Sequence, residues 1–109
     1  MSGLFRMFAL GAALLAAGCG GRSAFVYDGE PYRARAAQGE TRQEFSVSAR
    51  PVSAGLEGAL MAGAHEAKRY CILNYGSSRI AWTVGPDTPA TALPVDRDTL
   101  TLSGACDPQ

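Results

Sequence analysis

The sequence is short of the residue types on which most catalytic and metal sites depend. Among 109 residues it has one histidine, three cysteines and one tryptophan, and ten basic residues balance ten acidic residues. It contains no G-x-S-x-G, H-E-x-x-H or phosphate-binding glycine motif, which argues against the enzymes that use them. Without a basic excess, a nucleic-acid-binding protein is not expected. The sequence also lacks the apolar run of about 20 residues that a membrane-spanning helix requires.

An apolar run at the N-terminus ends at a cysteine. Arg6 precedes an apolar segment over residues 7–17, which Gly18 and Cys19 follow within LLAAGCGG. A basic start, a short apolar middle and small residues at the end are the three parts of a secretory signal peptide. We therefore predict that residues 1–18 are a signal peptide rather than a buried helix of the domain, because the segment has no polar face.

The residues around Cys19 resemble the lipobox of bacterial lipoproteins. In that family the cysteine thiol is joined to diacylglycerol, the signal peptide is cut just before the cysteine, and the new amino group is acylated. The resemblance implies cleavage between Gly18 and Cys19 and lipidation of Cys19. The match departs from the commonest pattern at one position, since Ala16 stands where leucine is usual and Leu15 lies one place earlier.

A lipidated Cys19 would anchor the protein without a spanning helix, because two or more acyl chains give a lasting attachment to a bilayer. Gly20 follows the cysteine at the position where aspartate favours retention in the inner membrane of Gram-negative bacteria. For a Gram-negative host, the resemblance therefore implies the periplasmic face of the outer membrane. Residues 19–23 would form a flexible tether to a single domain over residues 24–109.

Two further cysteines, Cys71 and Cys106, remain in the 91 residues that follow the signal peptide. An exported chain matures in an oxidising compartment, so the pair predicts a disulfide. The bond would close a loop of about 35 residues, which stabilises a domain by roughly 4 kcal/mol in the chain-entropy model. A metal site is not expected, because there is one histidine and no Cys-x-x-Cys spacing. No other cofactor is predicted.

Alternating apolar residues predict four to five short strands. The first two form a hairpin that turns at Asp28 and Gly29, with Arg33 and Arg35 on its exposed face. Further strands are predicted at residues 44–50, 78–84 and 98–106. A polar loop containing prolines precedes the last of them.

A single helix is predicted between the third and fourth strands, over residues 54–75. Ser53 is the expected N-cap and Gly76 the C-terminal stop. The stripe expected to be buried comprises Leu56, Leu60, Gly63, Ala67, Cys71 and Asn74. Because Gly63 lies in this stripe, we expect the helix to approach the sheet closely there.

These elements predict an α+β fold, in which a small antiparallel sheet of about four to five strands carries one helix on one face, in the order β-β-β-α-β-β. Cys71, near the end of the helix, would then lie close enough to Cys106 for the disulfide. His65 lies on the polar side of the helix, and Glu66 points about 100° away from it. Without a nucleophile and an orienting carboxylate beside His65, we predict no catalytic residues and no enzyme activity.

Aromatic and basic residues are concentrated between positions 65 and 87, a composition that suits an anionic glycan, lipid or protein. Tyr75 and Arg79 are candidate binding residues, together with Arg33 and Arg35 of the hairpin. The alternative is that the aromatic residues face the core and the basic residues form a solvated rim. A helix leading into YCILNYGSS and a tryptophan-bearing strand resembles small uncharacterised lipoproteins of alphaproteobacteria, a resemblance that implies no activity.

The expected function is that of a small, non-catalytic, membrane-anchored envelope lipoprotein with a structural or protein-interaction role. The alternative is a periplasmic module that binds a glycan, a lipid or a metabolite. The expected partners are the lipid bilayer, through acylated Cys19, and an envelope protein. Nucleic acid is not an expected partner.

Overall fold

The computed structural model describes residues 24–107, which form an antiparallel sheet with one helix across one face. The elements in chain order are β1 (Phe25–Tyr27), β2 (Glu30–Gln38), β3 (Glu44–Arg50), α1 (Leu56–Tyr75), β4 (Ile80–Val84), β5 (Val95–Asp96) and β6 (Thr99–Cys106). The strands lie in the order β1-β2-β3-β6-β4, and β5 pairs with β6 beside β4. The predicted α+β class and helix position are confirmed. The predicted signal peptide, Gly18, Cys19 and the tether lie outside the described residues.

The sheet has six strands rather than four to five because the predicted polar loop contains the short strand β5. Val95 pairs with Leu100 and Asp96 with Thr99, so β5 and β6 form a hairpin. Its two turn residues, Arg97 and Asp98, have φ angles of 53° and 64°. Asn-Gly or Asp-Gly usually signals such a turn, and Arg-Asp does not, which is why the sequence pattern did not predict this hairpin.

The predicted alternation of buried and exposed residues is confirmed in the long strands. The first hairpin turns at Asp28 and Gly29, whose φ angles are 54° and 81°. The face that α1 covers carries the buried side chains of Tyr32, Phe45, Val47, Ala49, Leu100 and Leu102. The opposite face, including Arg33 and Arg35, is exposed along β2.

The start of α1 differs from the prediction. Ser53 does not cap the helix; it lies in a 3₁₀ turn over Val52–Ala54, and Gly55 occupies the N-cap position without a side-chain cap. The Ser53 hydroxyl and amide instead donate hydrogen bonds to the two carboxylate oxygens of Asp98, at 2.8 and 2.6 Å. This contact spans 45 positions, so it depends on the β5–β6 turn and not on local sequence. Gly76 ends the helix as predicted, donating its amide to the Ile72 carbonyl at 2.9 Å.

The inner face of α1 consists of small residues. The buried positions are Gly58, Ala59, Ala62, Gly63, Ala64, Ala67 and Cys71. Leu56 and Leu60 of the predicted stripe are half-buried, and the prediction for Asn74 is wrong: it is exposed and donates its side-chain amide to the Tyr70 carbonyl at 2.8 Å. In this orientation the smallest residues of the helix face the sheet, and Leu56 and Leu60 pack at the edge of the core.

Close approach explains this orientation. A methyl group at Gly63 would lie 2.8 Å from Leu102 Cδ1 and 3.5 Å from Ala49 Cβ, and one at Gly58 would overlap the ring of Tyr32. The expected close approach at Gly63 is therefore confirmed. With so little distance between the layers, a large side chain on this face would have to displace the sheet.

The far end of α1 is attached to the sheet by the predicted disulfide. Cys71 and Cys106 are bonded, with their Cα atoms 5.4 Å apart, and both are buried. The ring of Phe45 lies beside those of Tyr70 and Trp82, with centroid distances of 5.7 and 5.8 Å. These contacts place Tyr70 and Trp82 against the core, as the alternative interpretation of the aromatic residues expected.

Candidate functional site

The outer face of the sheet carries three arginines on two adjacent strands. Arg33 and Arg35 lie on β2, and Arg50 ends β3. Arg33 pairs directly with Arg50 in the strand register, and Arg35 pairs with Ser48. All of these residues are exposed. Like charges directly opposite each other destabilise a sheet, so folding alone gives no reason to place Arg33 against Arg50.

Hydroxyl groups extend this face from β3 onto β6. Ser48 is paired with Thr101, and Ser46 with Ser103. Of the acidic residues, Glu44 shares the face at the opposite end of β3 from Arg50, and Asp96 of β5 shares it by pairing with Thr99 of β6. We call Arg33, Arg35, Arg50, Ser48 and Thr101 the arginine face.

No carboxylate of residues 24–107 forms an ion pair with the arginines of this face. The salt bridge within the described residues lies on α1, where Arg69 pairs with Glu66 at 3.3 Å. Guanidinium groups present several hydrogen-bond donors in a planar fork that fits carboxylates and phosphates. Hydroxyl groups between them add donors and acceptors without adding charge. The arginine face therefore has the chemistry of a surface for anionic groups.

The four residues predicted as a binding surface are not brought together. Arg33 and Arg35 lie on β2, whereas Arg79 precedes β4, with β3 and β6 between those strands. Tyr75 is half-buried at the end of α1 and packs against the core. Arg50 was not among the predicted binding residues, although its alternation with Ser46 and Ser48 places it on the outer face. Its position opposite Arg33 depends on the register of β2 against β3, which neither strand shows by itself.

A second surface lies on the outer side of α1. Met61, Ile72 and Leu73 are exposed there, and Lys68 lies between them in sequence. We call these four residues the apolar helix face. They belong to an open depression of about 610 Å³ that is lined by Phe25, Met61, Ala64, His65, Lys68, Arg69, Ile72, Leu73 and Pro86.

The single histidine belongs to the border of this depression. The rings of His65 and Phe25 lie 5.3 Å apart at an angle of 41°. Nothing in this contact resembles a nucleophile held against a base. Across residues 24–107, no three His, Cys, Asp or Glu residues are grouped so that they could hold a metal ion.

One titratable pair joins β1 to the start of α1. The Tyr27 hydroxyl donates a hydrogen bond to Glu57 Oε1. That bond to a carboxylate, and secondarily partial desolvation, raises the pKa of Tyr27 above its ordinary value of 10.0. Because the protonated phenol is the favoured form, the pair fastens the N-terminal hairpin to the helix and does not supply a reactive phenolate.

In the described part of the chain, none of the helices combines the length and hydropathy needed to cross a bilayer. Comparison with protein-family models, with curated proteins and with solved structures found no match to this chain.

Proposed function

We propose that the chain is a small, non-catalytic lipoprotein of the bacterial envelope, anchored through acylated Cys19, whose domain binds an acidic partner protein through the arginine face. In a Gram-negative host it would stand on the periplasmic side of the outer membrane. The signal-peptide and lipobox pattern supports the anchor, and the arginine face supports the interaction role.

The pairing of Arg33 with Arg50 is the observation that carries the interaction role. Two guanidinium groups on facing positions repel each other in the free domain, and Arg35 adds a third charge nearby. A partner that places carboxylates between them removes the repulsion and forms charge-assisted hydrogen bonds. The free energy of binding therefore includes the relief of a repulsion that destabilises the free domain. This arrangement is expected for a surface selected for recognition rather than for stability.

A protein partner is favoured over the alternative of a small glycan, lipid or metabolite. Small ligands usually occupy concave sites that surround most of their surface. Arg33, Arg35 and Arg50 lie outside the depression beside α1. The arginines and hydroxyls instead extend across β2, β3 and β6, a width of about 10 Å at the usual strand spacing. An extended row of polar contacts suits the surface of another protein.

The anchor is tested by intact-mass spectrometry of the protein extracted from membranes, with and without reductant. We expect the mass of residues 19–109 plus three acyl chains, less the two hydrogens lost to the disulfide. Cys19→Ser should abolish the acyl mass and prevent membrane retention. Retention of that variant, or a native mass without lipid, would contradict the anchor.

The interaction is tested by a photo-cross-linking residue at Ser48, in the middle of the arginine face, in cells that make the acylated protein. We expect one adduct of defined mass, which disappears when Arg33, Arg35 and Arg50 are all changed to Gln. The matched control places the cross-linker at Leu73, on the opposite side of the domain, where this adduct should not form. An adduct at Ser48 that survives the triple substitution, or no adduct at all, would rule out the arginine face as the binding surface.

A further inference from the structure

The apolar helix face has more exposed apolar surface than a solvated helix requires. Met61, Ile72 and Leu73 leave 37%, 50% and 68% of their surface accessible. The fully buried positions of α1 are Gly, Ala and Cys residues, and Leu56 and Leu60 pack at the edge of the core, whereas these three large apolar residues are exposed. Exposed apolar side chains that line one depression on a small domain indicate a surface that contacts something other than water.

The charges of this face indicate an anionic, lipid-like environment. Lys68 lies next to the apolar residues, and no described carboxylate lies within ion-pair distance of it. Arg69 follows; its side chain is exposed and forms an ion pair with the half-buried Glu66. Large apolar residues flanked by Lys and Arg on one side of a helix are typical of helices that lie in the headgroup region of an anionic bilayer. The long basic side chains extend toward headgroups while their stems cover apolar surface.

The position of the N-terminal strand places the start of the described chain on the same side of the domain as the apolar helix face. Phe25 packs on His65, and Ala24 lines a depression with Phe25, His65 and Glu66. Cys19 precedes Ala24 by five positions, a distance that an extended chain spans in at most about 17 Å. A bilayer that holds the acyl chains of Cys19 is therefore never far from α1, so even a weak contact is favoured by its high local concentration.

We infer that the apolar helix face lies on the anionic phospholipid bilayer in which Cys19 is anchored, with Met61, Ile72 and Leu73 in the headgroup region and Lys68 at the lipid phosphates. This inference rests on the proposed acylation of Cys19. It gives the domain a fixed orientation: α1 faces the membrane, and the arginine face is turned away from it toward the partner.

The test uses the full acylated protein in vesicles of equal parts phosphatidylcholine and phosphatidylglycerol. A spin label at Met61→Cys reports immersion through its relative accessibility to oxygen and to a water-soluble nickel chelate. The matched control carries the label at Ser48→Cys on the arginine face. We expect the Met61 label in the headgroup region and the Ser48 label in water. Ile72→Glu with Leu73→Glu should move the Met61 label into water, whereas Thr101→Glu on the arginine face should not.

The outcomes separate the inference from the function on which it rests. Flotation of the protein with vesicles reports the anchor, and the labels report the contact. If the protein floats and both labels are in water, the anchor stands and the inference is wrong. If the Met61 label is equally shielded from the nickel chelate without vesicles, another copy of the chain or the uncleaved segment 7–17 covers the apolar helix face. The inference is then also wrong. A protein that does not float overturns both proposals.

Immersion that is the same in pure phosphatidylcholine vesicles would contradict the role of Lys68 and anionic lipid.

Discussion

The two ends of α1 are held to the sheet by different means. At the N-terminal end Gly58 lies against the ring of Tyr32, and Glu57 accepts a hydrogen bond from Tyr27. At the C-terminal end a covalent bond joins Cys71 to β6. Contacts of the first kind act in the folded state alone, whereas a disulfide also restricts the unfolded chain. A helix with a small-residue inner face buries little apolar area, so covalent attachment at one end makes up part of the stability that large side chains would otherwise provide.

Removing the disulfide should produce the greatest loss. With Cys71→Ala and Cys106→Ala together, we expect the free energy of unfolding to fall by about 4 kcal/mol, and the melting temperature by on the order of 20 °C. Thermal unfolding followed by circular dichroism measures both. Wild-type protein under reducing conditions is the control and should melt close to the variant. Equal melting of the oxidised wild type and the variant, or two free thiols in the exported protein, would contradict the attachment.

At the other end, Gly58→Ala should cost about 2 kcal/mol, because the added methyl group overlaps the Tyr32 ring and the backbone must shift. Gly63→Ala is the matched control. Its methyl group would meet the flexible end of Leu102 at 2.8 Å, and the gain in helix propensity, up to about 1 kcal/mol, offsets much of the cost. The free energy of unfolding measured in urea should therefore be much lower for the Gly58→Ala variant than for Gly63→Ala. The reverse ranking would show that α1 is not closest to the sheet at Tyr32.

The turn that precedes the helix depends on hydrogen bonds to Asp98, and their removal should cause the next largest loss of stability. Asp98→Ala removes both acceptors of the Ser53 hydrogen bonds and should cost about 1–2 kcal/mol. Asp98→Asn, which keeps one acceptor oxygen and tolerates the positive φ angle, should cost less. Amide hydrogen exchange of Ser53 checks the cause, since its protection should be lost in the alanine variant. Unchanged protection would mean that Asp98 does not hold this turn.

The smallest effect is expected at Tyr27, and it depends on pH. Hydrogen bonding to Glu57 raises the pKa of Tyr27, so this link contributes its stability below pH 10 and loses it as the pH rises through the raised value. The difference in unfolding free energy between wild type and Tyr27→Phe should be constant at neutral pH and vanish at higher pH. Absorbance titration of Glu57→Gln is the control, in which the Tyr27 pKa should return toward its ordinary value. A Tyr27 that already titrates normally in the wild type would refute the link.

Most secondary structure could be predicted because it depends on local patterns. Period-two alternation defined the long strands, Asp28 and Gly29 marked the first turn, and Gly76 marked the end of the helix. The disulfide followed from the count of cysteines once Cys19 is set aside as the predicted site of lipidation. Each of these signals lies within a few neighbouring residues or in the composition of the chain.

The errors and omissions concern contacts between distant segments. Ser53 donates to an acceptor 45 positions away instead of capping the nearby helix, and that acceptor, Asp98, lies in the β5–β6 turn, whose Arg-Asp sequence is not a usual turn signal. Asn74 fits the predicted stripe, of which Gly63, Ala67 and Cys71 are buried, but it lies in the last turn of α1 and is exposed. A helical pattern gives the angular positions of side chains and leaves open which turns of the helix the sheet covers.

The amino-acid pattern was sufficient for the fold class, the helix, the disulfide and the candidate lipid anchor, because alternation, capping glycines and the lipobox are readable from neighbouring residues. The arginine face and the apolar helix face became visible only in the folded chain. Arg33 and Arg50 face each other through strand register, and Met61, Ile72 and Leu73 are exposed because α1 places its glycine and alanine residues against the sheet. Both surfaces arise from which segments lie against each other, a property of packing between distant residues that no local stretch of sequence contains.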